Sequence, residues 1–183
     1  MSVEPSGAGQ RPESVRLAMP AEALAIARVQ RAWLVSRPNL AVLGDELDAT
    51  EMAQAWSQAI TRPPLATYRV LVALDRQEQV VGFAAVGPSD DPDAEFSDAL
   101  VAEFCVLPHL WGLGHEDRLM HAVADTLRAD GFTRATWWVL ADDDPTRTML
   151  AESGWDPDGA HQEVGVDDGH LRIKQVRLHT SLM

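Results

Sequence analysis

The stretch VLPHLWGLGHEDRLM, from Val106 to Met120, holds the residues whose types and spacing best suit chemistry. An apolar strand end, Cys105-Val106, runs through a proline turn into two glycines one residue apart and then into an amphipathic helix. Amides at a helix start are unpaired and carry roughly half a positive charge, so Gly112, Leu113, Gly114, His115, Glu116 and Asp117 form a candidate phosphate cradle. Gly112 and Gly114 keep Cβ atoms away from a ligand; the plainer alternative is that they only shape a tight turn. Glu116 places a carboxylate where the ligand's charge would sit. Held about 6 Å from a phosphate at an effective dielectric near 20, it would repel by roughly 3 kcal/mol; swung into water, by only about 0.7 kcal/mol. Glu116 and Asp117 read equally well as ordinary first-turn acids favoured by the helix dipole. Arg118 is placed to offset part of that charge.

Just upstream, Glu103 is a charged residue inside the otherwise apolar strand ALVAEFCVL. An amine with a pKa near 10 gives up its proton at neutral pH at a cost of about 4 to 5 kcal/mol, so an amine-using enzyme needs a base. Glu103 is the candidate, because burial would raise a carboxylate toward a useful value. The alternative is an ion pair with an arginine on a neighbouring element. His109 and His115 read as turn residues ahead of bases, and Cys105 as a small core residue. Asp143, two residues before Pro145, has the position of a helix cap.

The elements that must hold these groups follow from periodicity and breakers. Residues 1–14 read as a disordered tail, and residues 15–183 as one domain. VRLAM is a short strand stopped by Pro20, AEALAIARVQRAWLV a helix broken at Ser36-Arg37-Pro38-Asn39, and DATEMAQAWSQAI a second helix ending before Pro63-Pro64. YRVLVALD, QVVGFAAVG and ALVAEFCVL are strands apolar enough to be covered on both faces. The acidic loop PSDDPDAEFSD between the last two reads as exposed and mobile. After the motif helix come the strand RATWWVLA, the short helix DPTRTMLAESG, and two strands separated by the hairpin signal Asp167-Asp168-Gly169. The order β-α-α-β-β-β-α-β-α-β-β is a mixed α+β sheet domain. Trp137 and Trp138 point to opposite faces of their strand and are expected to pack in the core.

Composition narrows the function. The chain has 183 residues, 28 acids against 15 bases and a formal net charge of -13, which disfavours a nucleic-acid face and suits cationic small molecules. One cysteine excludes an intrachain disulfide, and the scattered histidines give no metal-ligand spacing. No apolar run approaches the roughly 18 residues of a membrane span, and no signal layout opens the chain, so the cytoplasm is the expected compartment.

The order of elements, the V-L-P-H-L-W-G-L-G turn, the strand WWVLADDD and the later M-L-A-E-S-G-W resemble the GCN5-related N-acetyltransferases (GNAT), from about Val15 to Leu178. The resemblance implies acetyl-CoA as co-substrate, its diphosphate on a motif of the form R/Q-x-x-G-x-G/A and its pantetheine arm on the free edge of the preceding strand. Here Trp111 stands at the Arg/Gln position, Gly114 at the first motif glycine, and Glu116 where Gly or Ala belongs. Cys105 and Val106 would meet the arm, as would Asp143, at a position that is often Asn in the family. The tyrosine that protonates the departing thiolate is replaced in the pair Met149-Leu150. The implied activity is acetyl transfer from acetyl-CoA to an amine of a small molecule or peptide, with the acidic loop favouring a cationic acceptor, no nucleic acid, no membrane and no metal. Glu116 and Leu150 favour the alternative, a catalytically impaired GNAT-fold protein that senses acyl-CoA or associates with other proteins, as a homodimer for instance.

Overall fold

A computed structural model describes residues 13–166 and 171–183. It contains a seven-stranded sheet in the order β1-β2-β3-β4-β5-β7-β6. β1 (Ser14–Leu17), β2 (Arg69–Leu74), β3 (Val80–Pro88) and β4 (Asp98–Val106) are antiparallel neighbours. β4 runs parallel to β5 (Arg134–Leu140), and β7 (Leu171–Ser181) pairs antiparallel with both β5 and β6 (Asp156–Val166). Apolar stripes at helical spacing bury α4 (His115–Ala129) and α5 (Asp144–Glu152) on one face, where Leu119, Val123, Leu127 and Leu150 join Phe104 and Trp137. On the other face α1 (Ala23–Val35) and α3 (Ala49–Thr61) cover Val72, Phe83 and Cys105. Among the described residues no helix is long and apolar enough to cross a membrane.

The expected order of elements holds, with one addition. A six-residue helix, α2 (Ala41–Glu46), follows the break after α1. It has no side-chain cap, and its Gly44 lies so close to α1 that a Cβ there would meet Val35 at 2.9 Å. Packing against α1 makes this helix; local signals do not. Most of the N-terminal tail and the Asp167-Asp168-Gly169 turn lie outside the described residues. Ser14 already pairs with Leu74, and Glu13 reaches Arg118 and Arg76.

Two features of the sheet position the site. Ala85 pairs with Glu103 but Val86 with Val101, so Ala102 is an extra residue on β4. Such a bulge rephases a strand. Val101 before it and Phe104 and Val106 after it all join the α4-side core, while Cys105 lies in the α1-side core. The ladder to β5 ends at the same place, its last pair being Val101 with Trp137.

The second feature corrects an expectation. The acidic loop is anchored, not mobile: Asp93 takes two 2.6 Å hydrogen bonds from Arg177, and Asp91 takes one from Arg177 at 3.2 Å and one from Trp138 Nε1 at 2.9 Å. Trp138, expected in the core, is instead half-buried beneath the Arg177 guanidinium, 5.4 Å from its ring centroid. Arg177 also donates to Asp158 at 2.7 Å and is only 7% exposed. Its hydrogen bond holds the Asp93 carboxyl down at about 2. A carboxyl depressed by folding stabilises above its ordinary pKa and loses that contribution as pH falls through the folded value. Arg177→Ala, which leaves the carboxylates of Asp91, Asp93 and Asp158 without their shared cation, should therefore lower stability at pH 7 in urea melts. It should also flatten the loss that the wild type shows between about pH 4 and pH 2, the window between the two values.

Candidate active site

Where β4 and β5 stop pairing, a cavity of about 260 Å³ opens between Ala102–Cys105 and Trp137–Leu140, beneath Gln30 and Trp33 of α1. Glu103 faces it, half-buried. Desolvation raises its carboxyl to about 7, against a hydrogen bond from the Gln30 side chain that favours the ionised form. Gln30 is itself oriented. Trp56 Nε1 donates to its Oε1 at 2.8 Å, and since an indole nitrogen can only donate, the Gln30 amide must present its NH₂ to Glu103. No salt bridge to an arginine engages Glu103 among the described residues. Cys105, fully buried next along this face, has its thiol pushed up by burial and then by the Glu103 charge, which keeps it a core group and not a nucleophile at neutral pH.

Past β4, the 3₁₀ turn Pro108–Leu110 leads to Gly112 (φ +82°) and Gly114 (φ +89°), the latter capping α4. A Cβ at Gly112 would meet nothing within 4 Å, so the left-handed backbone demands glycine here, not lack of space. Glu116 neither projects toward a ligand nor swings into water. It folds back, 6% exposed, and its Oε1 accepts from the Gly112 N–H at 2.7 Å. Its Oε2 is buried without a hydrogen-bond partner. Arg118 does not offset this charge; its guanidinium goes to Glu13 and lies 3.3 Å from His115 Nδ1. His115 is buried, contrary to a surface turn position, while Leu113, Asp117 and His109 are exposed.

A smaller cavity of about 200 Å³, lined by Trp33, Arg37, Val106, Trp111 and Pro145, lies between the end of β4 and the start of α5. Asp143 is buried beside it: its carboxylate caps α5 through Thr146 N (3.3 Å) and Thr146 Oγ1 (2.7 Å), and it pairs with Arg37 at 3.0 Å. Arg37 in turn stacks over Trp33, 4.8 Å from the ring centroid. Trp33 Nε1 and Arg37 Nε are buried donors without a partner. Met149 and Leu150 point into the α4-side core, so nothing at that position donates a proton toward the gap. Gln30, Trp33, Leu34 and Arg37 line this region and were not singled out together from sequence, although their i, i+3, i+4, i+7 spacing along α1 and the bend after it is a legible stripe.

Across Ala102, which lines both, a third cavity of about 220 Å³ is walled by Trp56, Tyr68, Val70, Leu100 and Pro88, with Asp90 at its edge. Glu103 thus stands near the junction of two cavities, one inside the strand gap and one across Ala102 from it.

A family model described as the acetyltransferase (GNAT) family matches residues 28–155. No curated protein matches the chain. Among solved structures it is similar to the Salmonella typhimurium protein yncA, described as an acetyltransferase with its cofactor acetyl-CoA, at 18% identity and TM-score 0.73, covering 94% of this chain and 95% of that one. An N-acetyltransferase of Staphylococcus aureus Mu50 gives 14% identity and TM-score 0.75 over 94% of this chain and 100% of that one. A ribosomal-protein-alanine N-acetyltransferase of Brucella melitensis gives 17% and 0.70, over 91% and 98%. At these identities the structural likeness concerns the fold, and the match of the family model over more than half the chain adds the family. With its interrupted β4–β5 ladder, left-handed glycines at the mouth of α4 and this match, the chain belongs to the GNAT acetyltransferase family.

Proposed function

We propose that this protein transfers an acetyl group from acetyl-CoA to the amine of a small molecule or peptide, with Glu103 as the base. The observation that carries the reading is Glu103 itself: a carboxylate in the strand gap, aimed by Gln30 and raised into the neutral range by burial. The residues present fit the donor. Its arm is rich in carbonyl and hydroxyl acceptors, and Trp33 Nε1 and Arg37 Nε are buried donors awaiting acceptors beside Val106. The edge of β4 beyond Ala102 has lost its β5 partner and offers main-chain groups to amides. The left-handed glycines and the start of α4 suit a diphosphate once Glu116 moves aside.

When bound, acetyl-CoA supplies the activated acyl group. The chain's own task is to deliver a neutral amine. An ammonium entering from the Ala102 side passes its proton to the Glu103 carboxylate, and Gln30 donates to that carboxylate so that it is ionised near neutral pH. Three carboxylates of the acidic loop are engaged by Arg177 and Arg134; of the other two, Asp90 and Glu95, Asp90 lines the third cavity and is the loop's attraction for a cationic acceptor there. Leu150 supplies no acid, so the leaving thiolate takes its proton from water, which slows transfer without preventing it. That missing acid, together with the carboxylate of Glu116 in the turn before α4, favours a catalytically quiet acyl-CoA sensor, and a panel of amines decides: binding without turnover on any of them supports the sensor.

Three measurements follow. Calorimetry should show acetyl-CoA binding to the wild type, and absence of binding at high micromolar ligand would overturn the assignment. Glu103→Gln should lower kcat/KM for the amine by about 10²- to 10⁴-fold while leaving acetyl-CoA affinity within about twofold. Finally, log kcat/KM against pH should break in slope near pH 7, where Glu103 ionises on the way up. Gln30→Leu removes the donor that favours the carboxylate, so the break should move to higher pH; Trp56→Phe, which only frees Gln30 to turn, should move it less and in the same direction.

A further inference from the structure

The diphosphate cradle already holds an anion, and it belongs to the protein. Glu116 sits in the first turn of α4, where an acid normally gains from the helix dipole while staying in water. Here it is 6% exposed, and Oε1 takes the Gly112 N–H at 2.7 Å, the length of a charge-assisted bond. Gly112, the residue that donates, has a left-handed backbone at φ +82°. Oε2 is buried in the same place with no partner, and Arg118, the cation one turn position away, is committed to Glu13 and His115. A buried carboxylate bound through one oxygen and orphaned at the other is held weakly, because the unmet acceptor carries a desolvation penalty. It has the charge of a phosphate and occupies a phosphate's donor, with fewer hydrogen bonds than a phosphate could make there.

We propose that Glu116 is a built-in competitor for the donor's diphosphate: coenzyme binds only as the carboxylate gives up the Gly112 amide and leaves the cradle. This rests on the acetyl-CoA reading above and adds to it a specificity-determining residue. Glu116 keeps donor affinity low and admits only a ligand whose anion outbids an internal carboxylate. It also closes the turn in the free protein, so one side chain stabilises the empty state and opposes the filled one.

That double role gives opposite signs in two measurements on the intact chain. Free CoA is titrated by calorimetry into wild type, Glu116→Gln and Glu116→Ala, and each is melted without ligand. Glu116→Ala should bind CoA about 10- to 100-fold more tightly, from removal of a like charge within a few ångström of the phosphates, while its ligand-free melting temperature falls. Glu116→Gln keeps an oxygen for the Gly112 N–H without the charge, so it should melt close to wild type and bind with intermediate or full tightening. As a probe of the cradle alone, inorganic pyrophosphate should raise the melting temperature of Glu116→Ala and leave that of the wild type unchanged. If wild type binds CoA and both variants bind equally well or more weakly, Glu116 is part of the turn or of the donor site, and the competitor is disproved while the acetyl-CoA reading stands. If none of the three binds CoA, both fall. Should Glu116→Ala fail to fold, the Glu116→Gln affinity decides.

Discussion

Ala102 is one residue more than β3 can pair, and from that surplus the arrangement of the site follows. The bulge turns Glu103 toward the α1 side instead of the α4 core, and it coincides with the last β4–β5 pair. A strand that lost its partner without a bulge would keep its side-chain phase; a bulge without separation would leave no room between strands. Together they give an open main-chain edge and a carboxylate beside it. The bulge thus lets one strand pair with β5 over Asp98–Val101 and leave its main-chain edge open beyond it, the edge proposed for the donor, while Phe104 and Val106 stay in the core.

The rest of the molecule divides its polar groups accordingly. On the α4 face the sheet is closed by aliphatic and aromatic side chains, with Trp137 between Phe104 and Trp155. On the α1 face, polar groups buried or half-buried collect around the gap: Glu103 on Gln30, Asp143 on Arg37, and the unpartnered donors of Trp33 and Arg37. Orphaned buried polar atoms destabilise a fold, and in the described residues they gather at Trp33, Arg37 and Glu116, along the path proposed for the donor. Arg177 supplies stability elsewhere by fastening the β3–β4 loop to β7 and β6, and through Trp138, which lines the gap, that anchor also steadies one wall of the site.

Much of this was legible in the chain itself. The apolar runs announced β2, β3, β4 and β5, and a carboxylate inside ALVAEFCVL announced Glu103, since a charge in a buried strand needs a reason. The glycine spacing announced the turn before α4. What the sequence hid depended on tertiary partners. A bulge leaves no mark when the inserted residue is an alanine among apolar neighbours. α2 exists because Gly44 lets it press on α1, and the acidic loop is pinned because Arg177 arrives from a strand eighty residues later. Glu116 was readable as an obstacle, but only the fold of the turn shows that one oxygen of its carboxylate is engaged from within, by the amide of the glycine four residues before it.

The claim on which the rest stands is that β4 beyond its bulge, and the turn after it, form the surface that receives acetyl-CoA. Amide resonances of isotope-labelled protein titrated with CoA test it residue by residue. Large shifts are expected at Ala102–Val106 and at Gly112, with Gly112 moving as its bond to Glu116 is exchanged for one to the ligand, and little change over Asp98–Val101, where β4 stays paired with β5. Shifts confined to another surface, or a Gly112 resonance that stays fixed while CoA binds, would contradict it.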